Sequence, residues 1–111
     1  MGGSMPREWV QTAVLESLAE GPKYAPEIYC WILENRTGGH HLRNGEMPAA
    51  IERLLVAGLV ELFLKPGYFT SPITGYTSYL TECYRLTPDG HKELWLAEDV
   101  REETRESLLP A

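Results

Sequence analysis

The chain has 111 residues, of which 43% are hydrophobic and 23% are charged, and its net charge is −6 at pH 7. This length is typical of one domain with one core. The hydrophobic runs are far shorter than a membrane span, and residues 1–5 lack the basic and apolar regions of a signal peptide. We therefore expect a cytoplasmic protein that makes no membrane contact.

Residues for catalysis or metal binding are sparse and poorly spaced. Cys30 and Cys83 lie far apart and form no metal-binding pair, so buried free thiols are expected. His40 and His41 are adjacent, and the side chains of neighbouring residues diverge. The sequence also lacks a P-loop, a dinucleotide-binding glycine motif and a Gly-x-Ser-x-Gly nucleophile motif. We expect no metal, no cofactor and no enzymatic activity.

Three helices are predicted in the first half of the chain. The first runs from Pro6 to about Glu20, and the second from about Ala25 to Arg36. A turn over residues 37–41 leads to the third helix. Its apolar residues recur at the spacing of one helical face, and they are Met47, Ala50, Ile51, Leu54 and Leu55.

Beyond Gly58 the pattern becomes that of β-strands. One β-favouring run covers residues 59–64 and a second covers residues 76–86. The segment from Lys65 to Gly75 is rich in Gly and Pro and is predicted to be the hairpin loop. A helix followed by a hairpin is typical of a winged helix-turn-helix. The predicted fold class is therefore α+β, mostly α, with three helices and a two-stranded β-wing that docks on DNA.

A fourth helix is predicted after the wing. Thr87 is a suitable N-cap and Pro88 suits the first helical position. Apolar residues lie on more than one side of this helix, which indicates a partner helix, most simply from a second copy of the chain. The residues predicted to form this dimer interface are Leu94, Trp95, Ala97 and Val100. The expected organisation is a tag remnant or disordered start (1–5), a winged-helix domain (6–86) and a dimerisation helix (87–109).

Three segments match one family in order and spacing. They are residues 14–28, residues 45–60 and the run Tyr84-Arg85-Leu86-Thr87-Pro88-Asp89-Gly90. In these segments the chain resembles PadR-like winged-helix transcriptional regulators. The resemblance implies a homodimeric promoter repressor with the third helix in the major groove, the wing on the DNA backbone and the last helix in the dimer interface. The resemblance is also compatible with regulation by a small-molecule effector.

One branch of the family shares two further features with this chain. The residues Gly-Pro-Lys-Tyr before the second helix and the short length are similar to the cyanobacterial circadian period-extender branch. Members of that branch repress a clock-gene promoter. The resemblance therefore implies a clock-gene promoter as one class of target.

Acidic charge is concentrated at the end of the chain. Residues 1–92 contain eight Lys and Arg against ten Asp and Glu, a net charge of −2, whereas residues 93–111 contain two against six, a net charge of −4. Arg36, Arg43 and Arg53 lie around the third helix with Glu46 and Glu52, so the predicted recognition surface is mildly basic.

Candidate DNA contacts lie on the third helix and the wing, and they are Arg43, Asn44, Glu46, Ala49, Arg53 and Lys65. Arg43 and Arg53 would contact bases or phosphates, although each is also a common kind of solvated surface residue. Asn44 is better interpreted as an N-cap. Lys65 would contact a phosphate from near the wing tip. Two features depart from the family pattern: Ala49 follows Pro48 where a Tyr usually precedes the Pro, and Lys65 is the only clear cation of the wing.

Two functions therefore stand as hypotheses. The first is a sequence-specific repressor that binds double-stranded DNA as a homodimer. The alternative is a protein-interaction module on a winged-helix scaffold, with weak or no DNA binding. The acidic balance and the aromatic wing favour this alternative, and the wing aromatics are Tyr68, Phe69, Tyr76 and Tyr79.

Overall fold

The computed structural model describes residues 8–36 and 42–96. The elements are α1 (Glu8–Ala19), β1 (Lys23–Tyr24), α2 (Ala25–Asn35), α3 (Glu46–Val56), β2 (Val60–Thr70) and β3 (Thr77–Leu86). A fourth helix, α4, begins at residue 88 and is described to residue 96. The predicted α+β winged-helix fold is confirmed. The predicted turn at 37–41 and the predicted interface residues Ala97 and Val100 lie outside the described residues.

The core lies between the three first helices and the base of the hairpin. Each helix contributes the apolar face that its periodicity predicts, and the buried residues include Val10, Val14, Ile28, Ile32, Ala50, Ile51, Leu54, Val60 and Leu86. Burial of each Val, Leu or Ile side chain among them stabilises the fold by about 1.5–3 kcal/mol. The packing of α1 against α2 and α3 leaves the opposite face of α3 outside the core. No helix within the described ranges is both long and apolar enough to span a membrane.

The sheet has three antiparallel strands in the order β1-β3-β2, so β3 is central. The short strand β1 is an addition to the predicted two-stranded wing. Lys23 pairs with Tyr84 and Tyr24 pairs with Cys83. Two residues are too few to show an alternating pattern, so this strand has no signature in the sequence. Its consequence is that the start of α2 is fixed directly to the middle of β3.

The wing is longer than the sequence predicts. The segment from Lys65 to Thr70 belongs to β2 and is not a loop, and Thr70 pairs with Thr77. A register shift between Leu64 and Gly67 forms a β-bulge that accommodates Pro66. Because β2 is an edge strand, Pro66 needs no hydrogen-bond partner on its outer side. Lys65 therefore lies in the middle of the wing, and the prediction that it lies near the tip is wrong.

The start of α4 is fixed to the loop between α3 and β2. Thr87 Oγ1 accepts a hydrogen bond from the Gly90 N–H at 3.0 Å and donates one to the Gly58 carbonyl at 2.6 Å. The predicted N-cap at Thr87 is therefore confirmed. Leu94, which is predicted to lie in a dimer interface, is instead only 6% exposed and packs in the core of its own chain. Only the small exposed part of its side chain is available to a second copy.

Candidate nucleic-acid interface

Helix α3 presents a continuous outward face. The exposed residues of the helix are Pro48, Glu52, Arg53 and Val56, and the half-buried Ala49 lies beside them. Positions 49, 52, 53 and 56 follow the i, i+3, i+4, i+7 spacing of one helical face. The major groove of DNA is about 12 Å wide and admits one α-helix. This face therefore has the shape and position of a recognition surface.

Val56 is an exposed residue of this face that the sequence pattern does not predict. This side chain is 84% exposed at the last position of α3. An apolar residue at the end of an amphipathic helix looks like part of the buried stripe, and only the structure shows that it points away from the core. Apolar side chains on a recognition helix can contact the methyl group of thymine.

The N-terminus of α3 is built differently from the prediction. Gly45, not Asn44, is the N-cap, and its φ of 80° lies in the left-handed region that favours glycine. The carboxylate of Glu46 accepts a hydrogen bond from the Arg43 backbone N–H at 2.9 Å. Glu46 is only 7% exposed, so this predicted DNA contact is instead buried and holds the turn before α3. Asn44 is exposed and makes no cap.

Arg43 lies at the edge of a shallow cleft beside the start of α3. The cleft has a volume of about 260 Å³ and is lined by Tyr29, Leu42, Arg43, Asn44, Gly45, Met47 and Pro48. Tyr29 reaches it from α2 and is exposed. The sequence pattern does not mark Tyr29 as a surface residue, because it lies between the buried residues Ile28 and Cys30. The positive end of the α3 dipole, the Arg43 guanidinium and the Tyr29 hydroxyl can all interact favourably with a phosphate oxygen.

Several cations near this surface are already paired. Arg36 forms an ion pair with Glu16 at 2.7 Å, so it does not add to the basic face predicted around α3. Lys23 pairs with Glu20 at 3.3 Å. Within the described ranges, neither Arg43 nor Lys65 forms a salt bridge.

The arginine at the base of the wing is paired with a carboxylate of the wing itself. Arg85 pairs with Glu61 across the two strands, and its guanidinium lies 4.4 Å from the centre of the Phe63 ring. Farther out, the Tyr68 and Tyr79 rings pack edge to face at 5.2 Å. Such cross-strand pairs stabilise a ribbon that has no core beneath it. Lys65 remains the cation that the wing can offer to a phosphate.

The two cysteines are buried free thiols, as predicted. Burial raises the pKa of the Cys83 thiol, so the thiolate that would react or bind a metal is disfavoured at neutral pH. In the part of the chain that the structure describes, no three His, Cys, Asp or Glu side chains are grouped to hold a metal ion.

The fold is shared with solved structures of transcription regulators. A PadR family transcription regulator from hypervirulent Clostridium difficile aligns over 90% of this chain and 94% of its own, with 19% identity and a TM-score of 0.64. A transcriptional regulator from Clostridium thermocellum aligns over 90% and 86%, with 24% identity and a TM-score of 0.66. A protein from Thermoplasma acidophilum aligns over 90% and 86%, with 15% identity and a TM-score of 0.59.

The sequence matches no protein-family model and no curated protein. At these levels of identity the structural similarity establishes a common fold. The chain thus has the winged-helix fold of these regulators, and the resemblance predicted from three sequence segments is confirmed at the level of the fold.

Proposed function

We propose that this protein is a transcriptional regulator that binds double-stranded DNA with α3 in the major groove. The proposal rests on the outward face of α3. This face includes Arg53, and the turn just before the helix contains Arg43. The fold shared with PadR family and other transcription regulators supports it. Neither the sequence motifs nor the described side chains supply a catalytic site, so we propose a binding function and no enzymatic one.

The proposed contacts divide into two kinds. Arg53 lies on the face of α3 that would meet base edges, with Ala49 and Val56 available for apolar contact. Arg43, the Tyr29 hydroxyl and Lys65 would bind phosphates and fix the register of the protein on the duplex. Asn44 is exposed beside Arg43 and would add a polar contact to the backbone.

Genomic selection of bound fragments tests this function directly. Duplexes retained by the full-length protein should share one sequence motif, and a clock-gene promoter fragment is a suitable first candidate because of the sequence resemblance. Enrichment of a two-fold symmetric motif would also support a dimer, because two-fold protein symmetry is mirrored in the operator. Recovery of unrelated fragments with no common motif would contradict sequence-specific regulation.

We also propose that the protein acts as a homodimer that represses by occupying its promoter. On α4, Trp95 is 67% exposed and Leu96 is also exposed, although large apolar side chains are costly to leave in water. A cleft of about 380 Å³ beside Trp95 is lined by Ala19, His91, Lys92 and Leu94. A helix from a second copy would cover these groups, and Ala97 and Val100 would extend the same interface. A planar effector could stack on Trp95 there.

Replacing Trp95 with Glu should convert the dimer to a monomer at micromolar concentration. The change places a charge in an interface that buries an aromatic ring, and such a charge is costly to desolvate without a partner. Analytical ultracentrifugation measures the result. Tyr76→Glu is the matched control, because Tyr76 is comparably exposed but lies at the wing tip. A wild-type chain that sediments as a monomer would contradict the proposed assembly.

The wing supports a second candidate function. Leu62, Leu64, Tyr68 and Tyr79 are all exposed on it. Large exposed apolar and aromatic side chains are common anchors for a protein partner. A protein-interaction module would use this surface, and it would have little need for Arg43 or Lys65.

Replacing Lys65 with Ala distinguishes these functions. If Lys65 of each copy in the dimer binds one phosphate, binding to specific and random duplex should weaken alike, and the slope of log affinity against log salt should decrease in magnitude by about two units, roughly one for each copy. Fluorescence anisotropy at several salt concentrations measures both quantities. Lys23→Ala is the control, because Lys23 is held by Glu20. An unchanged slope, together with loss of a protein partner in Tyr68→Ala, would favour the interaction module.

A further inference from the structure

Tyr24 connects the start of α2 to the middle of the wing. Its backbone pairs with Cys83 on the central strand β3. Its hydroxyl donates a hydrogen bond of 2.5 Å to the carbonyl of Lys65, 41 residues away on β2. The side chain therefore reaches across β3 to the edge strand, and it is buried there.

The Lys65 carbonyl lies at the β-bulge. Leu64 pairs with Glu82 and Gly67 pairs with Leu80, so Lys65 and Pro66 together face a single residue of β3. Backbone groups at a bulge lose their regular partners in the ladder, and polar backbone groups that lose such partners need others. The Tyr24 hydroxyl supplies one at the point where the wing bends.

Gly67 lies very close to the same hydroxyl group. A Cβ atom built on Gly67 would lie 2.6 Å from the Tyr24 hydroxyl oxygen, whereas the next nearest atom, the ring carbon Cζ, is at 3.7 Å. Its φ lies outside the left-handed region, so the backbone conformation does not require glycine here. Glycine at this position is explained by the close approach of the hydroxyl group alone.

A second contact joins the outer wing to the same helix. Beyond the bulge, Ser71 Oγ lies 3.9 Å from the buried Cys30 thiol of α2, at hydrogen-bond distance for sulfur. Tyr24 immediately precedes α2 and Cys30 lies within it. The wing is thus held against one helix at two points, one at its bend and one near its tip.

We propose that Tyr24 is a positioning residue that sets the angle of the wing relative to α3. This inference rests on the proposed DNA-binding function, because that angle determines the distance between Lys65 on the wing and Arg43 and Arg53 at the recognition helix. With the angle fixed before binding, both sets of contacts meet the duplex without the entropic cost of ordering the wing.

A double-mutant cycle between Tyr24 and Gly67 tests the proposal in the full-length protein. Tyr24→Phe keeps the ring and removes the hydroxyl. Gly67→Ala should disturb the wing in the wild-type background, but it should be tolerated in the Tyr24→Phe background because the clashing oxygen is gone. The two substitutions should therefore be strongly non-additive in thermal stability. Tyr79→Phe is the matched control for loss of a wing hydroxyl.

Two further measurements separate a positioning role from a merely structural one. Residual dipolar couplings of the free protein should show that residues 68–80 reorient relative to α2 and α3 in Tyr24→Phe, while the couplings within the helices are unchanged. Affinity for a selected duplex should fall about two- to tenfold, the range expected from one lost hydrogen bond. Tyr79→Phe should change neither quantity.

The outcomes are distinguishable from a failure of DNA binding itself. An unchanged wing orientation in Tyr24→Phe, or additive effects in the cycle, would overturn the proposal. A reoriented wing with unchanged duplex affinity would overturn it as well, because the angle would then not matter for binding. If the wild-type protein binds no duplex, the proposed function fails, and the inference that rests on it is overturned with it.

Discussion

Replacing Arg43 and Arg53 together with Ala should abolish specific DNA binding in the measurable range. A side chain that reads a base edge contributes about 1–3 kcal/mol of discrimination. Arg43 precedes α3 and Arg53 lies in its last turn, so the two would contact different parts of the site and their effects should be roughly additive. The fold should persist, because both side chains are exposed.

The two single variants should affect DNA binding in different ways. Arg53→Ala should relax the sequence preference at one or two positions of the selected motif, whereas Arg43→Ala should weaken binding to all duplexes alike if it contacts a phosphate. Competition titrations against a panel of point-substituted duplexes measure this difference. Lys23→Ala is again the control, because Lys23 is a cation paired with Glu20. Wild-type affinity in the double variant would exclude α3 as the recognition element.

Replacing Gly90 with Ala should destabilise the protein by about 1–3 kcal/mol or more, as expected for overpacking of a rigid site. A Cβ at this position would lie 2.0 Å from the carbonyl oxygen of Leu59, which is backbone and cannot rotate away. Helix α4 must then shift from the α3–β2 junction, and the buried Leu94 would lose its place in the core. The loss is a large part of the roughly 5–15 kcal/mol by which domains are stable.

Chemical denaturation followed by circular dichroism measures this effect. Glu93→Ala is the matched control, since Glu93 also lies on α4 and is exposed. We expect the midpoint to fall for Gly90→Ala and to stay near the wild-type value for the control. Equal midpoints for the wild type and Gly90→Ala would show that α4 does not pack closely on Leu59.

The elements with strong local signals could be predicted from the sequence. The stripe that includes Ala50 and Leu54 identified α3, and Thr87 followed by Pro88 identified the start of α4, because periodicity and capping depend on neighbouring residues. The position of the wing along the chain could be predicted, but the length of its strands could not. Pro66-Gly67 is typical of a turn, and only the pairing with β3 shows that the strand continues through a bulge.

The details of the site depended on contacts between distant residues. Glu16 pairs with Arg36 from another helix, so the sequence could not show that this arginine is unavailable. The position of Glu46 at the start of the third helix predicts a DNA contact, but tertiary packing buries its side chain. The contact of Tyr24 with Lys65 spans 41 residues and leaves no local pattern. Such pairings follow from the arrangement of elements, which spacing along the chain does not encode.

The salt dependence of duplex binding tests the central claim most directly. A dimer that places Arg43 and Lys65 of each copy on phosphates would neutralise about four charges, so log affinity should fall with log salt at a slope between about −3 and −5. A selected duplex should also bind more tightly than a random one at every salt concentration. A slope near zero, with no difference between the two duplexes, would contradict a DNA-binding function.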